Sequence, residues 1–268
     1  MLKVHLISDL FLDYNEFSME EEVIPDVDLC VINGNIGFLK RSMLFAETLC
    51  KKYPKVPFVI NLGETEAHQY TKEKFVGETL ESMNIRQLVN ESKPSNLNWS
   101  TDPMIITCKN GAQVDILCSY GYPYIYSTNT PWAHTNWHRY YKMAVDDTEN
   151  PSDRFWKPKD TSNVRHGTFP IMATKEYINS MHEIEYNKVK TWEITNSGNY
   201  YKILVTHINP YVDTRLSDQK VGPYNIHMSD KYWLSSNTKM NGINFLGGKL
   251  YANPGRGLEA RTNVITIG

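Results

Sequence analysis

Short apolar runs alternate with amphipathic segments along the first third of the chain. Leu2 to Ile7, Asp28 to Ile32 and Pro57 to Asn61 are the apolar runs, and their length is typical of buried strands. Phe38 to Tyr53 and Thr71 to Met83 carry apolar residues at helical spacing. An alternation of strands and helices in this order predicts a layered α/β architecture.

The rest of the chain is predicted to add a second set of strands. Asn110-Gly111 separates two apolar runs, Met104 to Cys108 and Gln113 to Cys118, which is the pattern of a β-hairpin. Thr174 to Trp192 again has helical spacing. The remaining predicted strands are Tyr201 to Val205, Lys231 to Leu234, Ile243 to Tyr251 and Asn263 to Ile267.

The same spacing predicts which residues share a helix face. In the first helix, Leu44, Ala46 and Leu49 are expected to form one apolar stripe. In the helix from 174 to 192, the residues at helical spacing are Tyr177, Met181, Ile184 and Lys188.

Length and composition fit one α/β domain. The chain has 268 residues, and 41% of them are hydrophobic, which is enough to build a core. We expect a single domain over residues 1–268, with a long insertion at about 119–170. This insertion is rich in Tyr, Trp, Asn, Asp and Pro, and a long segment without clear periodicity is usually functional.

Charge and hydropathy argue against several classes of partner. A net charge of -2 and a pI of about 6.5 give no field that draws the chain to nucleic acid, so nucleic acid is not the expected partner. No run approaches the roughly 18 apolar residues of a membrane span. The N-terminus enters a strand without a basic leader, and we therefore expect a cytoplasmic protein.

Cys30, Cys108 and Cys118 lie in apolar runs, which predicts buried free thiols.

Polar side chains follow four of the predicted strands. Asp9, Asn35, Glu64 and His207 each come a few residues after an apolar run. In open α/β sheets, ligand groups gather at the carboxyl ends of the strands. These four residues are therefore predicted to converge on one rim, and the nearby Glu66 is a further candidate ligand.

The same residues belong to five short stretches of the chain. They are S-D-L-F at 8–11, N-G-N at 33–35, G-E-T-E at 63–66, T-H-I-N-P at 206–210 and S-N-T-K at 236–239. These stretches resemble the motifs of calcineurin-like metallophosphoesterases, which the family writes as S-D-L-H, G-D, G-N-H-E, T-H-H-x-P and G-H-T-H. The run from Tyr251 to Gly257 also resembles the N-P-G turn of the family, whereas the middle 100 residues match no motif.

The resemblance implies a fold and a metal centre. The fold is α/β, a four-layer β-sandwich flanked by helices. In the family, two divalent metals about 3.5–4 Å apart clamp a phosphate ester for attack by a bound hydroxide. The positions that the resemblance assigns to metal ligands are Asp9, Asn35, Glu64, His207 and Asn237.

At the first metal of the family, most ligands are replaced in this chain. Asp9 is kept, but Phe11 replaces a histidine, Asn35 replaces the bridging aspartate and Lys239 replaces the last histidine. A phenyl ring cannot coordinate a metal, and an ammonium group repels one. The resemblance therefore implies an empty first site in which Lys239 pairs with Asp9.

At the second metal, His207 is kept, Glu64 replaces an asparagine and Asn237 replaces a histidine. Thr65 stands where the family has the histidine that protonates the leaving group. Two dications about 4 Å apart repel by roughly 16 kcal/mol at an effective dielectric constant of 20, and neutral Asn35 offers no charge to offset this. We expect no cofactor, or at most one divalent ion (Mn, Mg or Zn) at the second site.

The insertion at 119–170 is the expected binding surface. His134 and His138 are four residues apart, which is metal-ligand spacing on a helix, but no glutamate follows His134 as in H-E-x-x-H. The aromatic residues around them either pack over the sheet or bind a protein or a nucleotide-like ligand. The candidate binding residues are Trp132, His134, Trp137, His138, Arg139 and Tyr140.

The predicted function is a non-catalytic binding or regulatory role on a metallophosphoesterase fold. The alternative is a single-metal phosphoesterase, either a phosphatase or a phosphodiesterase or nuclease, that uses Glu64 and His207. The metal content of the purified protein distinguishes the two hypotheses.

Overall fold

The fold was analysed in a computed structural model of the chain. The residues it describes are 1–10, 12, 23–37, 39–63, 66, 94–121, 142–146, 168–172, 175–195, 198, 200–207, 232–235, 242–246, 249–253 and 264–268.

Thirteen strands and two long helices are present in this part of the chain. The helices are α1 (Leu39–Lys52) and α2 (Lys175–Ile194). The strands are β1 (Leu2–Ile7), β2 (Leu29–Asn33), β3 (Phe58–Asn61), β4 (Leu97–Asn98), β5 (Met104–Thr107), β6 (Gln113–Ser119), β7 (Lys142–Asp146), β8 (Thr168–Met172), β9 (Tyr201–Thr206), β10 (Tyr232–Ser235), β11 (Gly242–Leu246), β12 (Lys249–Asn253) and β13 (Val264–Ile267).

The strands form two mixed sheets and one small antiparallel pair. The first sheet has the order β13-β1-β2-β3-β4, in which β1 to β4 run parallel and β13 runs antiparallel to β1. The second sheet has the order β11-β12-β10-β9-β6-β5, with β6, β9, β10 and β12 parallel. β7 pairs with β8 inside the insertion.

The two sheets pack face to face. Side chains of β1, β2 and β3 alternate between two hydrophobic clusters, as the two-residue period of a strand requires. One of these clusters contains residues of both sheets and forms the core between them. Its members include Leu6, Val31 and Val59 from the first sheet and Ile116, Val205 and Leu234 from the second.

Each of the two helices covers the outer face of one sheet. Phe45, Ala46 and Leu49 of α1 belong to the cluster on the outer face of the first sheet. Val189 and Trp192 of α2 belong to the cluster on the outer face of the second. Because both faces of each sheet are covered, the parallel strands are apolar on both sides, and this explains their continuous apolar sequence.

Lys202 anchors the last turn of α2 to the second sheet. Its ammonium group donates hydrogen bonds to the carbonyl oxygens of Trp192, at 2.5 Å, and of Thr195, and it lies 3.7 Å from a carboxylate oxygen of Asp115. Asp115 also accepts a 2.7 Å hydrogen bond from the Trp192 indole. A cation at a helix C-terminus is favourable because the last carbonyls of the helix point toward it. This anchor fixes the position of α2 relative to β6 and β9.

Most predicted elements are confirmed, and four details are wrong. The run from Asn263 to Ile267, predicted in the second set of strands, is β13 and pairs with β1 in the first sheet. Ile184, predicted to share a face with Met181, is 48% exposed, whereas Met181 is buried. The run from Ile243 to Tyr251 is not one strand but the hairpin β11–β12, and Gly247-Gly248 between the two strands is the turn signal that was missed. Leu44 is 54% exposed and does not share the buried stripe of α1, because it lies about 200° around the helix from Ala46. The predicted helix at 71–83 lies outside the described residues.

The cysteine prediction is confirmed. All four cysteines, including Cys50, are buried and free of disulfide bonds. Burial in apolar surroundings raises the pKa of the Cys118 thiol to about 12.

The chain therefore has a mixed α/β fold with two mixed sheets. The complete four-layer arrangement stays a prediction, as do the single-domain organisation over 1–268 and the cytoplasmic location. Neither helix in the described part combines the length and apolarity needed to cross a membrane.

Candidate functional site

Two strained residues, Asp9 and Asn35, follow the ends of β1 and β2. Both have a φ of 54°, in the left-handed region, and they are the non-glycine residues with positive φ in the described part of the chain. Both are fully buried, and the backbone N–H of Asp9 donates a 3.0 Å hydrogen bond to the carbonyl of Gly34. Asp and Asn tolerate this conformation better than other residues, and such strain concentrates at functional sites.

The side chains of these two residues are hydrogen-bonded to each other. Asn35 Nδ2 donates to Asp9 Oδ1 at 3.0 Å, and Ser8 Oγ donates to Asp9 Oδ2 at 2.9 Å. A carboxylate only accepts hydrogen bonds, so the amide must turn its NH₂ group toward Asp9. Each oxygen of the Asp9 carboxylate therefore accepts a hydrogen bond, one from the Asn35 amide and one from the Ser8 hydroxyl.

His207 reaches the same place from the second sheet. It follows β9 directly, is fully buried, and its ring lies 5.6 Å from the ring of Tyr120. Its Nδ1 lies 3.1 Å from the carbonyl oxygen of Asn33. Since a carbonyl oxygen only accepts, Nδ1 carries the proton, and in the neutral ring Nε2 holds the lone pair. A histidine held in this way is oriented for coordination or proton transfer through Nε2.

Two glycines allow these groups to approach each other. A Cβ added to Gly34 would lie 2.6 Å from His207 Nδ1 and 2.7 Å from the Cα of Gly63. A Cβ added to Gly63 would lie 2.9 Å from both Asn35 Oδ1 and His207 Cε1. No other residue fits at either position without displacing its neighbours, so the ends of β2, β3 and β9 meet at one point.

A pair of buried asparagines joins the two sheets beside this point. Asn33 and Asn61 are register partners at the ends of β2 and β3. Asn33 Nδ2 donates to the Thr206 carbonyl at 2.9 Å, and Asn61 Nδ2 donates to the Ser119 carbonyl and to Asn33 Oδ1, both at 2.9 Å. We call these two side chains the amide clamp. It fixes how far His207 stands from Asp9 and Asn35.

A pocket adjoins the amide clamp between the strand ends and α2. Its cavity volume is about 40 Å³, so it is a narrow cleft. Its lining includes Asn61 of the clamp, the aromatic residues Trp99 and Tyr120, and Met181, Glu185 and Lys188 of α2. The pocket therefore combines apolar and aromatic groups with one cation and one carboxylate, and it lies where the insertion at 119–170 begins.

The structure thus brings together three of the five predicted ligand positions, Asp9, Asn35 and His207. Glu64 and Asn237 lie outside the described residues, and so do the substituted positions Phe11, Thr65 and Lys239. The six candidate binding residues from Trp132 to Tyr140 also lie outside them. Within the described ranges no group of three or more His, Cys, Asp or Glu side chains could hold a metal ion. The ligand roles of all these positions stay predictions.

Sequence reasoning missed most of the residues that support the site. The amide clamp had a weak signal, since Asn33 and Asn61 each end an apolar run and are followed by a glycine within two residues. Glu185 of α2 had no local signal, yet its carboxylate accepts hydrogen bonds from the backbone N–H groups of Tyr120 and Gly121 at 3.0 Å. Glu66, predicted as a further ligand, instead points its carboxylate at backbone N–H groups.

Comparison with known proteins locates the fold but not a family. No sequence profile of a known protein family matches the chain, and no curated protein matches it. The structure is similar to that of a phosphopantetheinyl hydrolase from Mycobacterium tuberculosis, with a TM-score of 0.58 and 9% sequence identity, over 97% of this chain and 90% of that chain. At this identity the likeness concerns the fold alone. The chain therefore shares the mixed α/β fold of that protein.

Proposed function

We propose that this chain is a phosphoesterase-fold protein whose dinuclear metal site is degraded and which acts by binding a partner rather than by hydrolysis. The observation that carries the proposal is the 3.0 Å hydrogen bond from the Asn35 amide to Asp9. Together, the Asn35 amide and the Ser8 hydroxyl donate hydrogen bonds to both oxygens of the buried Asp9 carboxylate. In the family that the chain resembles, a bridging aspartate occupies the position of Asn35. Two carboxylates at that distance require a cation between them.

The described donors do not fit a pair of metals. Asn35 presents N–H protons, not oxygen lone pairs, toward Asp9, so the amide does not bridge two cations in this orientation. Turning the amide over would place its oxygen against a carboxylate oxygen of Asp9 and lose the hydrogen bond. We therefore derive no hydrolytic step through a metal pair.

The pocket beside the amide clamp supports a binding role. Trp99 and Tyr120 offer aromatic faces, and Lys188 offers a cation that also lies 3.6 Å from Asp102. Because Glu185 also lines the pocket, the lining suits a ligand with one planar or apolar group and polar groups that hydrogen-bond to both charges. The proposed partner is a protein or a nucleotide-like ligand that also contacts the insertion through the residues from Trp132 to Tyr140.

Metal titration tests the proposal. The purified protein is dialysed, offered Mn²⁺ or Zn²⁺ and measured by elemental analysis, and we expect well under one ion per chain. Isothermal titration with Mn²⁺ then compares Asn35→Asp alone with a variant that also carries Phe11→His, Glu64→Asn, Asn237→His and Lys239→His. We expect tight binding in the full set and none in Asn35→Asp alone, because the Lys239 ammonium competes for the same place. Two ions per wild-type chain would refute the proposal.

A second candidate function is a single-metal phosphoesterase. It is favoured by the orientation of His207, whose Nδ1 is bonded to the Asn33 carbonyl so that Nε2 holds the lone pair. Glu64, directly after Gly63, would supply the anionic ligand. Hydrolysis of generic phosphoesters and of a phosphopantetheinyl ester, with added Mn²⁺, tests this function. Turnover that His207→Ala abolishes would favour it over the binding role.

A further inference from the structure

The turn after β2 forms a small anion-binding cavity from its own backbone. Gly34 and Asn35 have φ values of 74° and 54°, so two successive residues are left-handed. Backbone N–H groups of a tight turn can converge on one anion. Here the N–H groups of Asn35 and Ile36 lie 2.9 Å and 2.8 Å from the two oxygens of the Glu66 carboxylate.

The same carboxylate binds two further elements. The N–H of Gly63, after β3, donates to Glu66 Oε2 at 2.9 Å. The hydroxyl of Ser42, on α1, shares its one proton between Glu66 Oε1 and the Gly37 carbonyl, both at 2.9 Å. Each carboxylate oxygen thus accepts two hydrogen bonds, and the residue is only 1% exposed. Glu66 therefore joins the turn after β2, the end of β3 and α1.

From this arrangement we infer that Glu66 is a positioning residue of the candidate site. Its carboxylate holds the turn at Gly34 and Asn35 in the left-handed conformation, and this conformation aims the Asn35 amide at Asp9. The inference rests on the proposed function in that it assigns Glu66 to the same site, but it concerns backbone geometry and not metal content. It also explains why Glu66 is an unsuitable metal ligand, since four donors already occupy its two oxygens.

Glu185 provides a matched control within the same molecule. Its carboxylate also accepts hydrogen bonds from two consecutive backbone N–H groups, those of Tyr120 and Gly121. It acts at the end of β6 in the second sheet, and no described hydrogen bond joins it to Asp9 or Asn35. Neutralising Glu185 tests the general cost of losing such a contact, whereas neutralising Glu66 tests the positioning of Asn35.

The experiment begins with the wild-type protein. Scalar couplings across hydrogen bonds, measured by NMR between the amide nitrogens of Asn35, Ile36 and Gly63 and the side-chain carboxyl carbon of Glu66, are expected to be detectable. Amide hydrogen exchange is then compared in Glu66→Gln and Glu185→Gln. We expect exchange at Asn35, Ile36 and Gly63 to rise about tenfold or more in Glu66→Gln only, because bonds to a charged acceptor are among the stronger ones.

A cavity variant adds a rescue test. Glu66→Gly removes the carboxylate, and formate added at high concentration is expected to restore the exchange protection of these amides and the side-chain signal of Asn35. Acetamide, which is neutral, is the control and is expected to restore neither. If Glu66→Gly does not fold, the wild-type couplings decide the question.

Absence of couplings to Glu66 in the wild type would overturn the inference. So would equal exchange at Asn35 in Glu66→Gln and Glu185→Gln. These results are independent of metal titration, so the positioning role and the proposed function fail separately.

Discussion

Replacing Asn35 by aspartate isolates the electrostatic feature on which the site depends. The substitution keeps the size of the side chain and is compatible with the left-handed backbone, because Asp and Asn both tolerate that conformation. It replaces the NH₂ group that lies 3.0 Å from Asp9 Oδ1 with a carboxylate oxygen. A favourable hydrogen bond becomes a contact between two buried anions.

The size of the effect follows from that distance. Two unit charges 3.0 Å apart repel by about 5.5 kcal/mol at an effective dielectric constant of 20. Protonating one carboxyl group relieves the repulsion, and at pH 7 this costs about 4 kcal/mol for a group with an ordinary pKa near 3.9. Protonation at pH 7 requires less free energy than the repulsion between two charged carboxylates. Asn35→Asp is therefore expected to lower the free energy of unfolding by about 4 kcal/mol at pH 7. At pH 5 the loss falls to about 1.5 kcal/mol, since protonation is then easier.

Urea unfolding followed by circular dichroism at pH 7 and pH 5 measures both values. Asn35→Gly is the control, since glycine takes the left-handed conformation without strain and removes the amide without adding charge. Its loss of stability should be nearly the same at the two pH values. Equal stability of Asn35→Asp and wild type at pH 7, or a loss that does not change with pH, would refute the direct contact between the Asn35 amide and the Asp9 carboxylate.

Three further predictions concern the surroundings of the site. Gly34→Ala should lower the free energy of unfolding by more than about 3 kcal/mol, because the added Cβ would lie 2.6 Å from His207 Nδ1. Gly111 also has a positive φ, 83°, but no atom lies within 4 Å of an added Cβ, so Gly111→Ala should lower it by only about 1–2 kcal/mol; thermal unfolding measures both. Asn61→Leu should lower the free energy of unfolding by about 1–3 kcal/mol, because it removes the hydrogen bonds from the Asn61 amide to the Ser119 carbonyl and to Asn33 Oδ1. Similar losses for Asn61→Leu and Asn98→Leu would contradict the amide clamp. Burial raises the pKa of the Cys118 thiol from 9.0 to about 12, so the thiol stays protonated in the folded state while it ionises in the unfolded state. Its own contribution between about pH 9 and about pH 12 is a loss of up to about 1.4 kcal/mol of stability per pH unit, and Cys50 and Cys108, whose pKa values are also raised to about 12, add losses of the same sign. Alkylation of Cys118 by iodoacetamide in the native protein at pH 8 should accordingly be far slower than in urea, and equal rates would contradict its burial.

The sequence by itself determined the elements whose pattern is local. Apolar runs such as Leu2 to Ile7 became strands, and Asn110-Gly111 became a hairpin turn, because burial and turn geometry act over a few residues. The placement of Asp9, Asn35 and His207 after strands was also readable, since the carboxyl ends of parallel strands share one edge. Through the family resemblance, the identity of Asn35 predicted the loss of a bridging charge, and this stays a prediction.

Only the tertiary structure decided how the site is held together. The amide clamp joins Asn33 to Thr206, which is 173 residues away along the chain, and no periodicity encodes a contact of that range. The role of Glu66 likewise depends on the turn at Gly34 and Asn35, which directs two consecutive N–H groups to one carboxylate. A buried carboxylate accepts whichever donors the fold brings to it, so its sequence neighbours do not reveal whether it binds a metal or a backbone. The packing of the two sheets decides which groups such a carboxylate binds, because it sets the distances between the strand ends. A single sequence does not determine those distances.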